Sequence, residues 1–159
     1  MYQSERLIFR PLIIDDTERL FEIYSDAEAM KYRQVEAHKT IQDTLDMLKR
    51  DEEMRNSNKE IRFGIIQKDS NELIGSVMFQ PIKQKSIIGY SLAKNAWGNG
   101  FATEVVEWLI QHLKLLKFNT IEAWVMNENI PSSKVLTKNG FRLINQTIYP
   151  NSRYYQKYI

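Results

Sequence analysis

The chain has 159 residues, 43% of them hydrophobic, with 22 Lys or Arg against 20 Asp or Glu for a formal charge of +2, and no cysteine. That length fits one domain over 1–159 with a core that needs no staples. The near balance of charge argues against nucleic acid or a membrane surface as partner, and the lack of cysteine excludes a disulfide scaffold, a thiolate metal site and a cysteine nucleophile.

No window approaches the roughly 20 apolar residues of a membrane span. Met1 to Arg6 carry no signal-type apolar region, so a cytoplasmic protein is expected. There are two histidines, His38 and His112; no metal site is expected, and both are read as surface or boundary residues.

Arg6 to Pro11 reads as a strand stopped by proline. Asp15 and Asp16 precede a helix with Leu20, Phe21, Tyr24 and Ala27 at helical spacing on its apolar face. Thr40-Ile41-Gln42-Asp43 resembles a capping box with aspartate in place of glutamate, and opens a helix to about Asn56. Residues 61–67 and 73–81 read as strands around the turn KDSNE, and residues 86–93 as a third. The next helix carries Val106, Leu109, Leu113 and Leu116 on one face, and residues 119–126 form a strand. The stretch NENIPSSKVLTKNGF gives a short helix with Asn129 or Ser132 near its cap and Gly140 at its stop. Strands at 141–148 and 153–159 finish the chain, with Tyr154, Tyr155 and Tyr158 read as half-buried in the last one, the alternative being an interface or the lining of an acceptor site. The order βααβββαβαββ, with helices between central strands and hairpins on the flanks, predicts an α/β fold with a mixed sheet.

Trp97-Gly98-Asn99-Gly100 joins a strand to a helix. A helix N-terminus presents unpaired N–H groups, and glycines before it let phosphate oxygens approach the backbone. The loop reads either as an anion cradle, most naturally for a pyrophosphate, or as a tight turn that needs glycine for positive φ. A P-loop is excluded because no lysine follows Gly100. A dinucleotide fingerprint lacks its third glycine at Thr103, although Glu128 stands where a ribose ligand would.

IGYSLAKNAWGNGFATEVVEWL resembles motif A of the GNAT acetyltransferase superfamily, a pyrophosphate-binding Gln/Arg-x-x-Gly-x-Gly/Ala at a strand–helix junction, matched here by Trp97-Gly98-Asn99-Gly100-Phe101-Ala102. Tryptophan in the first position is similar to the branch of Rim-type ribosomal-protein N-terminal acetyltransferases. SERLIFRPLIIDDTERLFEIYSD resembles that branch's opening, and NENIPSSKVLTKNGF its Asn-x-x-Ser…Leu-x-Lys-x-Gly-Phe segment.

The resemblance implies a GNAT fold: a strongly twisted mixed sheet of about seven strands, flanked by about four helices, whose splayed central parallel strands are 86–93 and 119–126. It implies acetyl-CoA as co-substrate, with its pantetheine arm in the opening. By analogy the backbone of Leu92, Ala93 and Lys94 pairs with that arm, and the N–H groups of Gly98, Asn99, Gly100, Phe101, Ala102 and Thr103, beside Trp97, hold the pyrophosphate. Asn129 matches an asparagine that contacts the cofactor arm, and also reads as a helix cap. Ser132 matches a serine near the thioester sulfur. The family's frequent tyrosine acid is Leu136 here, which leaves Ser132 as the candidate to protonate the thiolate, with Tyr90 as a relay or a packing residue. A carboxylate base is absent from 86–92, so the base is unassigned.

Without a cysteinyl acyl-enzyme, direct transfer in a ternary complex is expected. An α-amino group, with pKa about 7.7–8.0, needs less help to lose a proton than a lysine at about 10.4. The expected acceptor is therefore a protein or peptide N-terminus, possible ribosomal proteins among them by resemblance. The alternatives are a small amine (polyamine, aminoglycoside or amino acid) and a non-catalytic CoA-binding module. A monomer or homodimer is expected.

Overall fold

A computed structural model gives the fold, and the structure describes residues 1–33, 35–144 and 150–159. The chain begins with strands β1 (Tyr2–Gln3) and β2 (Leu7–Arg10). A 3-10 turn at Ile14–Asp16 then leads into helix α1 (Thr17–Ser25). The strand-to-helix corner is tied by Asp16, whose carboxylate accepts from the Arg10 guanidinium at 2.7 Å and the Ile13 N–H at 2.9 Å. The inward face of α1 is Leu20, Ile23 and Tyr24. Ala27 falls beyond the helix and is exposed, because the Asp26 carboxylate accepts the N–H groups of Glu28 and Ala29 and turns the chain away.

Helix α2 (Ile41–Asn56) starts at the expected capping box. The Asp43 carboxylate accepts the Thr40 N–H at 2.8 Å, and the Thr40 hydroxyl accepts the Asp43 N–H in return. Strands β3 (Ile61–Gln67), β4 (Glu72–Ile82) and β5 (Lys85–Leu92) form a meander. Then follow α3 (Phe101–Leu115), β6 (Thr120–Met126), α4 (Ile130–Lys138), β7 (Arg142–Ile144) and β8 (Ser152–Tyr158). Residues 145–148 of the strand expected after Phe141 lie outside the described residues.

Among the described residues the sheet has eight strands in the order β1-β2-β3-β4-β5-β6-β8-β7, one more than expected because Tyr2–Gln3 adds an edge to β2. All neighbours are antiparallel except β5 and β6. Helices α3 and α4 cover one face over a core that includes Phe9, Val77, Val105, Leu109, Ile121 and Leu136. Helices α1 and α2 cover the other through Leu20, Tyr24, Ile66 and Leu73. Each such buried side chain is worth about 1.5–3 kcal/mol.

Helix α3 corrects two expectations. Leu116 lies past its end and is exposed, while His112 is buried, only 7% exposed, rather than at the surface. The His112 ring packs among Tyr2, Phe63, Phe79 and Trp108, and burial pushes its pKa down. His38 is half-buried, stacked on Tyr24 with its Nδ1 2.9 Å from the Thr44 hydroxyl. In β8, Tyr154 and Tyr155 are buried and Tyr158 is exposed.

Candidate active site

The pairing of β5 with β6 ends at Ile88 and Ala123, yet both strands run on. Each keeps its own antiparallel partner past that point: Leu92 stays opposite Gly75 of β4, and Met126 stays opposite Ser152 of β8. Two halves of a twisted sheet, each held to its own neighbour, diverge and leave a gap.

Backbone groups along β5 alternate in direction. The Ala93 N–H donates to the Ile74 carbonyl at 2.8 Å, so Ala93, Ser91 and Gly89 point their groups at β4, while Tyr90 and Leu92 point theirs into the gap. The Leu92 carbonyl accepts the Trp97 indole N–H at 3.0 Å, and the Ala93 carbonyl accepts the Ala96 N–H at 2.9 Å. This narrows the expected pairing of Leu92 to Lys94 with a bound arm: the Leu92 carbonyl and both groups of Ala93 are already bonded within the chain. The Leu92 N–H still faces the gap. The Lys94 side chain is exposed and ion-paired with Glu28 from the α1–α2 connection.

The loop behaves as glycine chemistry predicts. Gly98 has φ +75° and Gly100 φ +77°, and Gly100 is the N-cap of α3. A Cβ on Gly98 would meet nothing within 4 Å, so backbone conformation and not crowding demands glycine there. The Asn99 side-chain amide donates to the Trp97 carbonyl at 3.0 Å and closes the turn. The Phe101 side chain is buried in the core, so it is the backbone of this residue that belongs to the loop. Ala102 and Thr103 are half-buried in the first turn of α3.

Across the gap, Asn129 caps α4 by accepting the Ser132 N–H at 3.2 Å. That sets the first turn of α4, and the Ser132 hydroxyl stands 2.8 Å from the Tyr90 phenol. The two candidate catalytic side chains, 42 residues apart, are hydrogen-bonded. Burial pushes the Tyr90 phenol up to about 12, against the pull of Ser132, so it stays protonated, and either hydroxyl of the pair can donate to the other. Past the point of divergence, neither Gly89 to Leu92 nor Trp124 to Met126 includes a carboxylate. Glu122 lies at the closed end, paired with Lys85 at 2.9 Å. No His, Cys, Asp and Glu cluster fit for a metal ion occurs among the described residues.

Sequence reasoning missed Arg6 and Glu104. Arg6 donates to the Asn99 carbonyl at 2.9 Å and to Glu104 at 2.7 Å. These partners are more than 90 residues apart, and no local pattern marks such a pair.

The domain model described as "Acetyltransferase (GNAT) domain" matches residues 6–142, and the chain belongs to that family. The protein p20 of Bacillus licheniformis, named as an uncharacterized N-acetyltransferase, is 36% identical over 143 residues, covering 87% of this chain and 80% of its own. A GNAT-family acetyltransferase from Bacillus anthracis has a structure similar at TM-score 0.85 and 25% identity, covering 98% of this chain and 96% of its own. Two more distant structures share the fold. The microcin C7 self-immunity acetyltransferase MccE, solved with acetyl-CoA and AMP, has TM-score 0.86 at 19% identity, covering 98% and 94%. RimL, a ribosomal L7/L12 α-N-protein acetyltransferase solved with CoA, has TM-score 0.85 at 18% identity, covering 98% and 96%. With that family and those relatives, the chain is an acyl-CoA-dependent N-acetyltransferase. None of its described helices is long and apolar enough to cross a membrane.

Proposed function

We propose that this enzyme transfers the acetyl group directly to the α-amino group of a protein or peptide N-terminus. The thioester arm enters the gap between β5 and β6, and the N–H groups from Gly98 to Thr103 hold the diphosphate at the positive end of α3. The neutral amine attacks the thioester carbonyl, and the oxyanion accepts a hydrogen bond from the Leu92 N–H. As the carbon–sulfur bond breaks, Ser132 donates to the thiolate while Tyr90 donates to Ser132. The nitrogen loses one proton to solvent and Tyr90 regains one from solvent, so the transfer is proton-neutral and both hydroxyls return to their starting state.

The observation that carries the choice of acceptor is the absence of a carboxylate from the open part of either strand. A site without a strong base favours an amine that is already partly neutral, and an α-amino group meets that requirement where a lysine or polyamine does not. The activity named for RimL agrees with this reading. The test is kcat/KM over a panel of peptides with free N-termini, N-blocked lysine peptides and spermidine. Preference for free N-termini supports the proposal, and equal or better turnover of lysine or spermidine contradicts it. An absence of CoA release with every amine would leave a binding module.

A further inference from the structure

We infer that Arg6 is a positioning residue for the diphosphate of acetyl-CoA: it holds the Asn99–Gly100 peptide so that its N–H faces the diphosphate seat, and it neutralises the carboxylate beside that seat. The inference rests on the diphosphate seat proposed above.

Four contacts place Arg6. Its Nη1 donates to the Asn99 carbonyl at 2.9 Å. Its Nε donates to Glu104 Oε2 at 2.7 Å, and its backbone N–H to Glu104 Oε1 at 2.7 Å. Its guanidinium carbon lies 4.6 Å above the centre of the Phe101 ring. The Ser4 hydroxyl also donates to Glu104 Oε1 at 2.7 Å. One side chain thus touches the carbonyl before the N-cap glycine, the first residue of α3 and a carboxylate in its first turn.

Two effects follow. In a trans peptide the C=O and N–H point in opposite directions. Drawing the Asn99 carbonyl onto Arg6 therefore turns the Gly100 N–H to the other side of the loop. Glycine on either side of Asn99, each at positive φ, lets this peptide take an orientation that a residue with a Cβ would resist. The second effect is electrostatic. Glu104 lies in the first turn of α3, where the helix favours an anion, and it competes there with an incoming diphosphate. Against the upward push of burial, hydrogen bonds from Arg6 and Ser4 hold its carboxyl below the usual range, so it is charged at neutral pH. Arg6 supplies the compensating charge. A lysine cannot serve both oxygens and stack on Phe101, since only the planar fork reaches all three.

The test compares two ligands that share the thioester arm: acetyl-CoA, and S-acetylpantetheine, which has no diphosphate. Dissociation constants are measured by calorimetry for the first and by NMR titration for the second, on wild type, Arg6→Ala, Arg6→Lys, and Arg6→Ala combined with Glu104→Gln. The expected result is that Arg6→Ala weakens acetyl-CoA by roughly tenfold, as for a lost charge-assisted hydrogen bond. S-acetylpantetheine is unchanged, Arg6→Lys falls between, and Glu104→Gln restores part of the loss. An equal loss for both ligands, or no loss for acetyl-CoA, overturns the inference. Arg6→Lys gives the same comparison if Arg6→Ala does not fold. Wild-type protein that binds S-acetylpantetheine as tightly as acetyl-CoA would remove the diphosphate seat itself, and the role of Arg6 with it.

Discussion

The Tyr90 phenol and the Ser132 hydroxyl stand 2.8 Å apart, joining β5 to the first turn of α4 beside the gap in the sheet. Tyr90 is held protonated by burial, and Ser132 is held in place by the Asn129 cap. The two hydroxyls form a short hydrogen-bonded chain beside the gap, and the mechanism proposed above has it donate to the leaving thiolate.

Ser132→Ala is accordingly expected to lower kcat by about a hundredfold, the low end for a lost acid–base group, with little change in KM for acetyl-CoA. Tyr90→Phe keeps the ring and loses one hydrogen bond, so its effect is smaller, about tenfold. With Tyr90 at about 12, kcat/KM rises with pH as the acceptor amine deprotonates and has no descending limb from Tyr90 up to about pH 10. Steady-state kinetics on both variants check this. Unchanged kcat in Ser132→Ala would remove its role.

The glycines separate two reasons for conservatism in a backbone. Gly98→Ala meets open space and pays only for positive φ, about 1 kcal/mol of stability. A Cβ on Gly75 would lie 2.1 Å from the Ser91 carbonyl oxygen and 3.0 Å from the Leu92 Cα. Gly75→Ala must therefore force β4 from β5 at the edge of the gap, at a cost of about 3 kcal/mol or more. Urea denaturation of the two variants tests the order.

Arg62 is buried between carboxylates. It donates to Glu60 at 2.7 Å and to the Ser76 hydroxyl at 3.2 Å, and its Nε is 3.0 Å from Asp51 without the alignment of a hydrogen bond. Arg62→Met leaves Asp51 with Arg50 at 3.6 Å and Glu60 with the Gln80 amide at 2.9 Å but removes the buried charge between them, and is expected to cost about 3–5 kcal/mol. Asp51→Asn removes a carboxyl that burial already pushes up, and should cost much less. Equal losses in chemical denaturation would contradict this division.

His112 gives the enzyme a pH-dependent stability. Burial lowers its pKa below the unfolded value of about 6.5. Between those two values the unfolded chain binds more protons, so stability is full above about pH 6.5 and is lost as pH falls. His38, also lowered by burial, acts in the same direction. Asp51, raised by burial, acts in the opposite one. Unfolding free energy should fall as pH drops below about 6.5, and His112→Leu should flatten that fall. An unchanged slope in His112→Leu would assign it elsewhere.

Local chemistry was legible in the sequence. Thr40 and Asp43 are three residues apart, Asn129 and Ser132 likewise, and each pair forms its cap. The glycines of 98–100 needed only their neighbours to be read as a strand–helix turn. What escaped depends on residues distant in the chain. His112 is buried because Tyr2, Phe63 and Phe79 arrive from three separate strands. Tyr2–Gln3 is too short for alternation to show, and becomes a strand because Phe9 and Ile8 lie opposite it. The Leu92 carbonyl was expected to be open, and is occupied because Trp97 folds back five residues. Arg6 was read only as the start of a strand, since nothing near it in sequence reveals the loop it touches.

The donor site is tested most simply by the melting temperature of the protein with acetyl-CoA, with NADH and ATP as controls, in wild type and Gly100→Glu. Ligand at about 100 times its Kd adds roughly 2.7 kcal/mol. For a domain of this size that is a shift of about 5–10 °C. This shift is expected for acetyl-CoA alone, and it should weaken when a carboxylate is placed at Gly100. No shift at millimolar acetyl-CoA, or one that Gly100→Glu leaves intact, would contradict the claim that this loop and the gap beside it hold the acetyl donor.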